Sequence, residues 1–119
     1  MSRRVIAVVD DMFFASKIRA TAEALGVDIS FVRSQESLLQ KAREKKPDLV
    51  VVDLHNQKLS AADVAGSIRG DDQLHEVWLL GFFSHVQVEL QRAAVAAGFN
   101  QVIPRSVFAS ELGKILSGT

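Results

Sequence analysis

The sequence has no cysteine, which excludes disulfides, thiolate metal sites and thiol catalysis. It has no apolar run approaching the roughly 20 residues of a membrane span. Arg3 and Arg4 precede an apolar stretch, but Val5 to Val9 has the length of a strand and falls short of the ~7–15 residues of a signal-peptide core. Excess charge is missing too. Fourteen basic residues balance fourteen acidic ones, whereas a small nucleic-acid-binding domain usually carries a basic surplus, so contact with DNA or RNA is not expected. No linker, low-complexity tract or repeat divides the 119 residues, beyond two helix–glycine–strand joints at Leu25-Gly26-Val27 and Ala97-Gly98-Phe99. That length supports one real core but not two. The expectation is one soluble cytoplasmic domain, residues 1–119, with no membrane contact.

What is present is a regular alternation. Leu49-Val50-Val51-Val52-Asp53 is a continuous apolar run ending on a carboxylate, the pattern of a parallel strand buried on both faces. Arg4 to Val9, running into Asp10-Asp11, repeats it. Val27 to Val32, Val77 to Phe83 and Gln101 to Ile103 read as the other strands. Between them lie helical stripes: Phe14, Ile18, Ala22 and Leu25, stopped by Gly26; Leu38, Leu39 and Ala42, capped by Ser34 and stopped by Pro47; and Val64, Ala65 and Ile68, opened by Ser60 at capping-box spacing from Asp63. A fourth helix opens at the cap pattern Ser84-His85-Val86-Gln87 and runs through Leu90, Ala93, Ala94 and Ala97 to Gly98. A terminal one is capped by Ser106, with Phe108, Leu112 and Ile115 inward. Five βα units with right-handed crossovers make a doubly wound α/β domain, the flavodoxin-like (βα)5 fold, with strand order 2-1-3-4-5.

In that order strands one and three are neighbours, and Asp10, Asp11 and Asp53 gather at the switch point where such sheets bind ligands. Three carboxylates within a few ångströms raise one another's pKa unless compensated. A hard divalent cation is the natural remedy. Mg²⁺ takes one or two carboxylates and fills its remaining positions with water and phosphate oxygens. An acidic metal nest beside one accessible aspartate suits phosphoryl transfer onto that aspartate.

With Asp10-Asp11 after the first strand, Asp53 ending the third, Ala97-Gly98 before the fifth and five βα units in order, the chain resembles the receiver domains of two-component response regulators over essentially its whole length. The resemblance to these chemotaxis-regulator-like domains implies a phosphoprotein and not an enzyme. Asp53 would accept the phosphoryl group from a sensor histidine kinase or phosphotransfer protein. Mg²⁺ would bind Asp11 directly, Asp10 through water, Asp53, and the backbone carbonyl of His55. The imidazole of His55 would be exposed, His75 and His85 would be solvated surface, and Trp78 half-buried. Downstream partners would dock on the face formed by helix four, strand five and helix five.

The departures from that pattern matter equally. Phe83 stands where a receiver carries the Ser or Thr that follows the phosphoryl group, and Ser84 lies one residue beyond. A strand bulge would bring Ser84 into the hydroxyl role; otherwise Phe83 fills that space. Val102 replaces the aromatic switch partner. Arg105 replaces the family's lysine, Ser106 the proline after it, and Gln57 and Ala61 the Pro and Gly of the loop after Asp53. A guanidinium is a planar fork that pairs bidentately with carboxylate or phosphate. Arg105 could lock Asp53, occupy the cation's place, or clamp a phosphoryl group. Two readings follow: a stand-alone phosphorylated receiver without an output domain, or a pseudo-receiver that binds partners independently of phosphorylation. An FMN-binding flavodoxin-like enzyme is disfavoured, because the loop after strand one is acidic and lacks the small hydroxyl and glycine residues that cradle phosphate.

Overall fold

Three apolar runs of the sequence form the middle of a sheet. In the computed structural model, which describes residues 3–56, 58–84 and 88–118, β1 (Arg4–Val8), β3 (Leu49–Asp53) and β4 (Trp78–Phe83) are its central strands, with β2 (Asp28–Phe31) and β5 (Gln101–Pro104) at the edges. All pairings are parallel and the order is β2-β1-β3-β4-β5, the flavodoxin-like arrangement. Val5–Val8 and Leu49–Val52 are essentially inaccessible, because helices cover both faces.

Period-two alternation along the strands divides the core in two. Ile6, Val8, Val50, Val52, Leu79 and Phe83 face α2 (Gln35–Glu44), α3 (Ala61–Arg69) and α4 (Val88–Ala97). Val5, Ala7, Leu49, Val51, Leu80 and Phe82 face α1 (Met12–Leu25), α5 (Arg105–Ser110) and α6 (Leu112–Ser117). The local signals explain the helix limits. Ser34 Oγ accepts the Ser37 N–H and Ser60 Oγ accepts the Asp63 N–H, each satisfying a donor of the first turn. Gly26 ends α1 in the left-handed region at φ 71°, where a side chain would be strained.

Three sequence expectations need correction. Leu25 is half exposed, since it sits in the last turn of α1 beyond the sheet's cover. Along the α4 residues named from the sequence, Ala94 is fully buried, Leu90 and Ala97 pack at its margins and Ala93 faces solvent, an arrangement on which the sequence made no claim. Ser106 does not cap the last helix, because Arg105 already lies within it and Pro104 holds the cap position without a side-chain bond. That helix is also divided. Glu111 (φ −102°, ψ 12°) leaves helical geometry two residues before Gly113, a weak helix former. The bend brings Leu116 fully into the core, and Ile115 only partly. Gln57 and the cap pattern at 85–87, with His85, lie outside the described residues. Among the described residues, no helix is long and apolar enough to cross a membrane.

Candidate functional site

Because all strands are parallel, the segments following β1, β3, β4 and β5 emerge on one rim. Val8 is registered with Val52, Asp53 with Phe82, and Phe83 with Pro104. This register brings Asp10, Asp11, Asp53, Ser84 and Arg105 to the same end of the sheet.

Asp11 is first of all a helix cap. Its Oδ1 accepts the N–H of Phe13 at 2.9 Å and of Phe14 at 3.1 Å, satisfying the free donors of the first turn of α1. Its Oδ2 accepts from the guanidinium of Arg105 at 3.0 Å. The Phe14 N–H and then Arg105 hold its carboxyl below the ordinary aspartate range. Asp10 is flanked by Arg33 Nε at 3.7 Å and Lys58 Nζ at 3.8 Å. Asp53 is half-buried, and its Oδ1 accepts the His55 N–H at 2.9 Å.

The described residues of the loop after Asp53 are held by packing and by a side-chain cap. Leu54 and Leu59 are buried, and Asn56 Oδ1 accepts the N–H of Lys58 and Leu59. Gly81 makes room for Leu54: a Cβ at this glycine would stand 2.7 Å from a Leu54 methyl. The ring of His55 is partly buried, with Nε2 enclosed, where the sequence suggested an exposed imidazole. His75 is exposed and Trp78 is half exposed.

Arg105 bonds to Asp11 and not to Asp53. The lock on Asp53 that the sequence allowed is not formed, because β5 delivers Arg105 beside the start of α1. Beneath it lies an aromatic platform, with the guanidinium carbon 4.3 Å from the centre of the Phe14 ring. Phe14 meets Phe82 and Phe108 edge-on at 5.2 and 5.7 Å, and Phe82 and Phe108 stack at 4.7 Å.

The ladders on both sides of β4 run without a bulge through Phe82 and Phe83. Phe83 is therefore buried against the α2–α4 side, Ser84 is exposed just past the strand, and Val102 is half-buried opposite Gly81. The bulge that would have given Ser84 the hydroxyl role is absent.

The donor types at the rim are the hard oxygens that Mg²⁺ favours. As arranged, however, they do not fit it. Both oxygens of Asp11 are already committed, two protein cations border Asp10, and among the described residues no three His, Asp or Glu side chains lie close enough to hold a metal ion. The sequence reading treated the acids as a converging trio. It missed Arg33, Lys58 and Phe14, whose proximity depends on tertiary packing. The capping role of Asp11 was legible, since an aspartate directly precedes the helix.

No protein-family profile matches the chain. In sequence it is similar to the alkaline phosphatase synthesis transcriptional regulatory protein PhoP of Bacillus subtilis, 26% identical over 80 residues, which are 67% of this chain and 33% of that protein. The match thus spans about a third of the regulator's length. In structure it is similar to Vibrio cholerae chemotaxis protein CheY4 (TM-score 0.84, 17% identity, 98% and 97% of the two chains). It is also similar to the receiver domain of sensor histidine kinase PA1611 from Pseudomonas aeruginosa PAO1, whose active-site cleft holds a magnesium ion (TM-score 0.82, 16% identity, all of both chains). A phosphorylated cyanobacterial phytochrome response regulator, RcpA, superposes with a TM-score of 0.74 at 21% identity over 99% and 91% of the chains. The chain has the receiver-domain fold of response regulators.

Proposed function

We propose that the chain is a receiver-type module of two-component signalling that acts in the cytoplasm by docking protein partners, as a pseudo-receiver whose docking does not depend on phosphorylation. One observation carries this reading: Phe83 occupies the core at the end of an unbroken β4, at the position where the resemblance calls for a mobile hydroxyl. A buried phenyl ring forms no hydrogen bond to a phosphoryl group, and Val102 offers no aromatic ring to follow one. The docking face is α4, β5 and α5. β5 is an open sheet edge, and Val88 and Val95 on α4 and Val107 on α5 are exposed beside it. Scattered exposed aliphatics on a surface are ordinary. Here Val88 and Val95 are one heptad apart, which places them on one stripe of α4.

The test is the phosphomimic beryllofluoride with Mg²⁺, followed by amide chemical shifts. Shifts confined to the neighbourhood of Asp53, or no binding, agree with the proposal. Shifts that spread to Val102 and α5 overturn it.

A second reading, phosphoryl acceptance by Asp53, is favoured by one feature: Asp53 Oδ2 has no hydrogen-bond partner among the described residues, on a half-exposed side chain. An Asp53 oxygen would form the new P–O bond as the bond to the donor's leaving group breaks. In that reading a sensor kinase or phosphotransfer protein is the donor. Asp10, Asp11, Asp53 and the His55 carbonyl would serve as Mg²⁺ ligands only after Arg105 had left Asp11, and Arg105 and Ser84 would then contact the phosphoryl group. Mass spectrometry after incubation with acetyl phosphate, with Asp53→Asn as control, decides it. An adduct lost in the variant supports acceptance, and its absence ends that reading.

A further inference from the structure

Two of the three rim acids are already paired with the protein's own cations. Asp10 has Arg33 and Lys58 beside it and Asp11 has Arg105, three cations in all, while Asp53 has no ion pair among the described residues. Of these three, Arg33 and Lys58 are mostly exposed and stand 3.7 and 3.8 Å from Asp10. Contacts of that kind between flexible side chains contribute little. Arg105 differs from them in every respect. Its contact with Asp11 is a charge-assisted hydrogen bond of 3.0 Å, and only about a third of its side chain is exposed.

Features on both sides of the contact hold it there. Its flat guanidinium lies over Phe14, a geometry that an ammonium group fills less well. Phe14 is itself fixed by Phe82 and Phe108. Pro104, at φ −63°, sets the direction in which α5 leaves the sheet, so that Arg105 begins its first turn. The acceptor is fixed as well, because the other oxygen of Asp11 is tied to two N–H groups of α1. Neither partner can turn away without losing a second interaction.

We propose that Arg105 is the resident cation of this crevice: a covalently attached, monovalent substitute that keeps divalent metal off Asp10, Asp11 and Asp53 and clips the start of α5 to the start of α1. The inference rests on the receiver fold and on the contacts of Arg105, and is separate from the missing relay at Phe83. A divalent ion entering the rim must displace a guanidinium that is already stacked and bonded, and must then share the site with it at close range, where like charges repel. Removing the guanidinium leaves the hard oxygen donors in place and removes the competitor.

The experiment is a titration of wild type and Arg105→Ala with MgCl₂ at constant ionic strength, read from the amide shifts of residues 10–14 and 53–56. Mn²⁺ serves as a paramagnetic probe of the same site. The wild type is expected to show no saturable shift at millimolar Mg²⁺. The alanine variant should gain saturable binding, tighter by about tenfold or more, as expected for relief of a unit charge at close range. Arg105→Gln, which keeps a planar donor toward Asp11 but loses the charge, should fall between them and covers the case in which the alanine variant does not fold. Saturable millimolar binding by the wild type would overturn the proposal, and so would variants that fold yet bind no better. If Mg²⁺ saturates the wild type but the phosphomimic shifts stop near Asp53, this proposal fails and the docking reading stands. If they reach Val102, the docking reading fails as well.

Discussion

Individual side chains in this molecule act mostly as staples between elements, and Arg69 shows it best. It leaves the end of α3 and donates to the carbonyls of His75, Val77 and Gly98 and to Asn100 Oδ1, joining α3 to the segments that start β4 and β5. Burial pulls its pKa below the ordinary arginine value, yet it stays charged at any working pH. Several carbonyls lose their donor in Arg69→Ala, so a loss of about 3 kcal/mol is expected in urea unfolding. Lysine should recover only part of it, because one ammonium cannot span the same acceptors. Gly81 acts by being absent. Its alanine variant would push a buried Leu54 methyl out of place, at a cost of about 1–3 kcal/mol. Because Leu54 follows Asp53 directly, the amide shifts of residues 53–56 should move as well. A Gly81→Ala variant with wild-type stability and unchanged shifts there would contradict the packing described.

At the scale of elements, the sequence was most legible where a local pattern and the fold agree. The four-residue valine-rich run ending at Asp53, the Ser34 and Ser60 caps and the Gly26 stop each carry their own local physics, and the structure has them where the pattern puts them. Ser34→Ala is accordingly expected to cost about 1 kcal/mol, measured as a drop in thermal midpoint with loss of α2 amide protection. Legibility failed where long-range packing decides. Nothing local in Arg105 says that it will meet Asp11 and not Asp53, since the partners are 94 residues apart. The platform under it joins α1, β4 and α5, three elements with no mutual signal in the sequence. The same holds for the last helix. Its apolar spacing reads as one stripe, and the turn at Glu111 appears only once Leu112 and Leu116 have to meet the sheet.

For the molecule as a whole, balanced charge leaves stability to particular pairs, and pH separates them. Asp11 is depressed chiefly by the Phe14 N–H and then by Arg105, and Asp71 chiefly by the Gln73 N–H and then by Arg43. A group whose folded pKa lies below its unfolded value stabilises the fold above the unfolded value, about 3.9 for aspartate, and loses that contribution as pH falls through the folded one. Both groups therefore predict stability that is flat near neutrality and falls below about pH 4. They sit at opposite ends of the molecule's architecture, Asp11 on the acidic rim and Asp71 in the turn after α3, so their variants should act independently. Asp71→Asn should remove part of the acid slope and leave the rim untouched. Asp11→Asn should remove another part and also release Arg105, because an amide keeps a capping oxygen for α1 but has no charge for the guanidinium. The check is urea unfolding of wild type, both single variants and the double variant from pH 3 to pH 7. The double variant should show the summed loss of slope. A full acid slope in Asp11→Asn would mean that the Arg105–Asp11 clip contributes nothing to the fold.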